Sequence, residues 1–247
     1  SMYDDGLVDS AQKISDDAGN FTGTLADGDY FGTSLAAIGD LNGDGVNDMA
    51  VGAIGDDGNG SPPDADRGAV WVLYLQSDRT VDTWVKIDDF TFLVPLFDEN
   101  PLANNDSFGY SITQLGDLDG DGVVDLGVGA MGDDTGGADR GAVWLLFLHN
   151  DGGVKTYEKI TSDNGLGGSL ANGDNFGSSL ALLGDIDIDG TQDIVVGATG
   201  DDSGGDGVGA TWTLFLYPPD TDGDGVYYTE DLCESDDASY FDRDGDG

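Results

Sequence analysis

One cysteine, Cys233, and one histidine, His149, stand among 247 residues. That excludes an internal disulfide framework and a zinc site of the usual thiolate and imidazole ligands. With a single histidine and a single cysteine, nucleophile–base pairs of the usual type are nearly excluded, so the chain is read as no enzyme. Basic residues are almost as scarce: 8 Lys and Arg stand against 50 acidic residues, for a formal net charge of −42. A chain so acidic repels nucleic acid and anionic membranes and attracts cations. The apolar runs reach only about seven residues, as in "AVWLLFL", too short to span a bilayer, so no membrane insertion is expected. No secretory leader is visible. Ser1 is no initiator and the last acidic motif is incomplete, so the sequence reads as a piece of a longer chain.

What is plentiful is glycine, with 42 residues, and aspartate, with 46 against only 4 glutamates. Glycine at this level favours tight turns over long helices. A merely solubilising surface would use glutamate freely. Aspartate is a turn residue and a short-armed ligand for hard cations, so the bias points to loops that hold them.

The chain repeats itself. Phe-Gly pairs open three copies at Phe31, Phe108 and Phe176, 77 and then 68 residues apart. Each runs through an acidic nonapeptide into an apolar Val-Gly-Ala segment and then a string such as "GAVWVLYL". Lys-Ile pairs recur at Lys13, Lys86 and Lys159, 73 residues apart each time. These lysines, with Arg67 and Arg140, read as structural partners for nearby aspartates. Each unit is predicted to hold four short strands: in the first copy 34–38, 49–53, 69–75 and one ending in Lys-Ile. The third strands are apolar at almost every position, as strands covered on both faces are. Four-stranded antiparallel blades stacked face to face in a β-propeller meet that need, so the fold class is all-β. The blades are placed at about 16–87, 88–160 and 161–217. The third copy has no Lys-Ile strand after it, and residues 11–14 are assigned as its missing fourth strand. A closed ring usually needs four to eight blades, so three form part of a larger ring, pair with a second chain or make an open arc.

The nonapeptides carry the candidate metal ligands. In the first copy these are Asp40, Asn42, Asp44, Val46 and Asp48 at positions one, three, five, seven and nine. In the second they are Asp117, Asp119, Asp121, Val123 and Asp125, and in the third Asp185, Asp187, Asp189, Thr191 and Asp193. Side-chain oxygens at one, three, five and nine, with the backbone carbonyl at seven, make the six or seven hard oxygen ligands that Ca²⁺ prefers. Gly45, Gly122 and Gly190 stand at position six, where the chain must turn sharply. Position twelve is Val51, Val128 or Val196 inside an apolar strand, so the loop joins strands and is not a helical EF-hand.

Taken together, Phe-Gly, the Gly-Asp-x-[Asn/Asp]-x-Asp-Gly-x-x-Asp string, Val-Gly-Ala and Gly-Ala-Val-Trp resemble the FG-GAP repeat of the integrin alpha-chain propeller. The resemblance covers about residues 10–217. It implies calcium loops on one face of the propeller and partners on the opposite face. Ile54, Met131 and Thr199 replace the proline of "GAP", and Ile188 replaces the position-four glycine. The last residues, 218–247, resemble a thrombospondin type 3 repeat, with Asp220, Asp222, Asp224, Val226 and Asp231 as ligands. What these resemblances imply is a calcium-binding adhesion or ligand-binding module of a secreted or cell-surface protein. Its partner would be a protein or a glycan, with a second copy or further blades to close the ring. A calcium-stiffened spacer and an accessory domain of an extracellular hydrolase are the rivals. Three repeats of Gly-Asp-Asp, at Gly55, Gly132 and Gly200, read as solvated loops. The insertion 88–105 reads as apolar cover over a blade edge.

Overall fold

A computed structural model describes residues 10–58, 65–88 and 102–217. The tail beyond 217, with Asp220, Asp222, Asp224, Val226 and Asp231, and most of the insertion after Asp88 lie outside them. The described residues form eleven strands and no helix. Strands β1 (Phe31–Gly39), β2 (Asp48–Ala53), β3 (Ala69–Leu75) and β4 (Val81–Ile87) make one antiparallel sheet in chain order. A second sheet has β5 (Phe108–Gly116), β6 (Asp125–Ala130), β7 (Ala142–Leu148) and β8 (Val154–Ile160), and a third has β9 (Phe176–Gly184), β10 (Asp193–Ala198) and β11 (Ala210–Leu214). The register repeats from sheet to sheet: Gly39 faces Asp48, Gly116 faces Asp125 and Gly184 faces Asp193 at the mouth of each first hairpin. These are β-propeller blades, and the ring they begin is not closed.

The expected fourth strand of the third sheet is not there among the described residues. Of residues 11–14 the first three are exposed, and Ile14 packs on the first sheet, against the cluster of Phe21, Trp71 and Leu73. The Val81 amide donates to the Gly19 carbonyl at 2.8 Å, and Asn20 Nδ2 donates to the Val81 carbonyl at 2.8 Å. Those bonds hold residues 19 and 20 at the start of β4, and Ile14 adds an apolar contact to the same sheet.

Blades stack through one joint used twice. The Phe108 amide donates to the Arg67 carbonyl at 2.8 Å and the Phe176 amide to the Arg140 carbonyl at 3.0 Å. Ser34 Oγ donates to the Gly109 carbonyl at 2.6 Å and Ser111 Oγ to the Gly177 carbonyl at 2.7 Å. Gly52 and Gly129 permit this approach, because a Cβ at either would sit on the carbonyl oxygen of the next blade's Phe-Gly glycine. Between the first two sheets Val70, Val72 and Tyr74 pack with Phe108 and Ile112, and between the last two Val143, Leu145 and Phe147 pack with Phe176, Ile194 and Val196. Each such side chain contributes roughly 1.5–3 kcal/mol of burial. Every residue of β7 is therefore buried, as its unbroken apolar run requires. Strand β11 alternates instead, and Phe215, the residue just after it, is 51% exposed where the matching Tyr74 and Phe147 are 3% and 2%. The polar Thr211 and Thr213 replace Val70 and Val72 on that same uncovered face.

Candidate metal centre

The three acidic nonapeptides are the loops of the first hairpins, joining β1 to β2, β5 to β6 and β9 to β10. Their carboxylates first of all shape the loop. At position one, Asp40, Asp117 and Asp185 accept the amides of Gly45 (2.8 Å), Gly122 (2.8 Å) and Gly190 (3.0 Å). At position three, Asn42, Asp119 and Asp187 accept the position-five amide at 3.0, 3.3 and 3.3 Å. At position five, Asp44, Asp121 and Asp189 each accept the amide of Val46, Val123 or Thr191 at 2.8 Å. Such side-chain to backbone bonds coil the chain so that several carboxylates face inward. Gly43 and Gly120 take positive φ at position four, and Ile188 is forced into the same region at φ 68°.

Position nine does a second job that spacing alone did not reveal. Asp48 accepts the Leu41 and Leu75 amides, both at 3.0 Å. Asp125 accepts Leu118 at 2.8 Å and Leu148 at 3.0 Å. Asp193 accepts Ile186 at 2.8 Å and Leu216 at 3.1 Å. Each buried carboxylate thus ties the loop to the end of the third strand's segment and keeps one lone pair per oxygen for another partner. Burial is costly: it raises Asp125 to about 7, against the pull of the two amides, with Asp119 adding to the rise and Lys155 opposing it. Burial raises Asp48 in the same sense.

Oxygens of Asp117, Asp119 and Asp125 lie within 4.8 Å of one another, and so do those of Asp185, Asp187 and Asp193. Position five, Asp121 and Asp189, stands outside both clusters. In the first loop Asn42 brings an amide oxygen to position three instead of a carboxylate. Two further observations ask for a cation. Asp189 Oδ2 is a buried carboxylate oxygen with no hydrogen-bond partner. In the second loop a cation is already supplied, because Lys155 Nζ stands 2.5 Å from both Asp119 Oδ2 and Asp121 Oδ2. Burial lowers this ammonium, but the two carboxylates outweigh burial and raise it. Asp121 moves the other way, because Lys155 and the Val123 amide outweigh burial and lower it. Hard oxygens, converging carboxylates and an orphaned buried oxygen fit a divalent ion.

The Gly-Asp-Asp segments are only in part the solvated loops expected, because Asp134 and Asp202 are exposed but the first aspartate of each segment is not. Asp56, Asp133 and Asp201 are buried. Lys86 reaches Asp56 at 2.7 Å and Asp88 at 3.1 Å, and Lys159 reaches Asp133 at 2.5 Å. These are the Lys-Ile lysines, and they also stand over Trp71 and Trp144 at 5.4 and 4.7 Å. Asp201 has no such lysine and accepts the Ser203 amide at 2.9 Å and its hydroxyl. The equal 73-residue spacing of the lysines was the signal for these pairs. Arg67 Nε and Arg140 Nε donate to Asn104 and Asn172 of the following blade at 3.0 and 3.1 Å.

Residues 31–73 match the model of the FG-GAP repeat family. Over 185 residues the chain is 35% identical to integrin alpha-5 of Xenopus laevis, covering 74% of this chain and 16% of that protein. It is 33% identical over 184 residues to integrin alpha-IIb of Homo sapiens (69% and 15%), and 31% over 179 residues to integrin alpha-PS5 of Drosophila melanogaster (70% and 15%). The chain spans about one sixth of the length of these relatives. Their similarity and the repeated joint agree: the chain carries FG-GAP repeat sequence in integrin-like, β-propeller-like blades.

Proposed function

We propose that this is a calcium-binding adhesion or ligand-binding module of an extracellular or cell-surface protein, without enzymatic activity. The observation that carries the metal reading is the convergence of Asp117, Asp119 and Asp125, and of Asp185, Asp187 and Asp193, at the same hairpin of successive blades. Carboxylates gathered this closely repel one another unless a cation sits among them. Calcium suits them better than magnesium, because it accepts six to eight protein oxygens in flexible geometry, whereas magnesium keeps several waters. In the filled site the carbonyls of Val46, Val123 and Thr191 complete the set, with Asp220, Asp222, Asp224, Val226 and Asp231 forming a further site in the tail.

The adhesion reading is supported by the likeness to integrin alpha chains, and the partner is a protein or glycan. The uncovered face of β11, extended by Phe215 just beyond it, is where a further blade or a second copy would continue the ring. Among the described residues no helix is long and apolar enough to cross a membrane.

Thermal unfolding in chelator, in calcium and in magnesium tests the metal reading. At about ten times the dissociation constant each site adds about 1.4 kcal/mol, so three add roughly 4 kcal/mol. The midpoint should rise by about 10 °C in calcium and less in magnesium. Equal midpoints in calcium and chelator would remove the basis of the proposal.

A further inference from the structure

Loop two differs from its siblings in one contact. Lys155, the second residue of β8, places Nζ 2.5 Å from Asp119 Oδ2 and 2.5 Å from Asp121 Oδ2, with 19% of its side chain exposed. In the first blade the matching residue of β4 is Asp82, whose Oδ1 accepts from Gln76 Nε2 at 2.6 Å and brings no positive charge. In the third blade the described residues hold no fourth strand from which a lysine could reach.

We infer that Lys155 is a tethered cation that competes with the divalent ion for the second loop and sets its affinity apart from the other two. This rests on the metal-binding reading of the loop. The ammonium grips Oδ2 of the position-three and position-five carboxylates, and Asp119 also belongs to the cluster with Asp117 and Asp125. A bound divalent ion and the ammonium would then share a carboxylate within a few ångströms of each other. Like charges at that range oppose each other strongly at a protein surface. Lysine also neutralises part of the repulsion when no metal is present, so it holds the empty loop folded. Both effects lower the gain from binding metal. Asn42 reduces the charge of the first loop permanently by replacing a carboxylate. Lys155 does so from a flexible four-carbon arm, which can withdraw when the ion arrives.

The test is calcium titration of the ¹⁵N-labelled full chain and of its Lys155→Met and Lys155→Arg variants at low ionic strength. The amides of Gly45, Gly122 and Gly190, which donate to the position-one carboxylates, report the three loops separately. In Lys155→Met the Gly122 midpoint should fall to a calcium concentration on the order of tenfold lower, with the Gly45 and Gly190 midpoints unmoved. Lys155→Arg, which keeps the charge, should stay near the wild type. The Lys155 Nζ resonance of the unsubstituted chain is a second readout needing no variant, and it should shift as Gly122 titrates. An unmoved Gly122 midpoint in Lys155→Met overturns the inference while leaving the metal reading intact, provided all three glycines titrate in the wild type. A Lys155 resonance indifferent to calcium overturns it too, even if the methionine variant fails to fold. If none of the three glycines responds to calcium, the metal reading itself falls.

Discussion

Replacing Asp125 by asparagine separates the two duties of the position-nine carboxylate. Burial raises Asp125 from 3.8 to about 7. At pH 8 and without metal the chain therefore holds a buried charge that costs about 4 kcal/mol relative to the unfolded state, at 1.36 kcal/mol per unit. Asparagine removes that cost. It also has one acceptor oxygen where the carboxylate has two, so either the Leu118 or the Leu148 amide loses its partner. An orphaned buried amide costs roughly 1–3 kcal/mol. In chelator the two effects oppose, and the variant should be as stable as the wild type or slightly more so. In saturating calcium the ion already offsets the charge, so the relief disappears while the orphaned amide and a lost ligand remain. The effect of the substitution should differ between the two conditions by about 4 kcal/mol, or roughly 8–16 °C in midpoint. Paired thermal melts at pH 8, with calcium and with chelator, measure that difference. The same change in midpoint under both conditions would refute the reasoning, because the charge on Asp125 would then have nothing to do with metal.

Asp106 offers the calcium-independent counterpart. Burial first, and then the neighbouring Asp133, raise it to about 7, and its Oδ2 accepts the Ala103 amide at 2.8 Å, a bond asparagine can keep. Because the folded value is the higher, this group's contribution is fully present below about pH 4 and is lost as pH rises through 7. Asp106→Asn should remove that loss, stabilising the chain at pH 8 by up to roughly 4 kcal/mol with little effect at pH 4. A pH-independent effect in urea titrations would count against it. Ile188 is β-branched, 87% exposed and held at φ 68°, so Ile188→Gly should stabilise the third loop by about 1 kcal/mol and tighten its calcium binding. Calorimetry showing equal or weaker binding would contradict this.

Much of the fold could be read from the residues because each strand announces itself locally. The run from Ala142 to Leu148 is apolar at every position and every position is buried. Trp71 and Trp144 repeat in the sequence and are both core residues. The loops could be read because ligand spacing is a property of one short segment. What escaped was cross-strand partnership. The burial of Asp56 and Asp133 depends on Lys86 and Lys159 arriving from another strand, 30 and 26 residues along the chain. Lys155 aims at loop two only because β8 lies beside β7 in that register. Residues 11–14 have the pattern of a fourth strand for the third sheet, but among the described residues they pair with no strand, and Ile14 packs on the first sheet instead. In the same way, the second duty of Asp48, Asp125 and Asp193 needs Leu75, Leu148 and Leu216 brought alongside.

Anomalous diffraction from crystals grown in calcium, collected at long wavelength, bears most directly on the metal sites. Peaks are expected inside the loops 40–48, 117–125 and 185–193, each in contact with the position-nine carboxylate. Well-ordered loops with no peak in any of the three would contradict the claim that these hairpins are built around an ion.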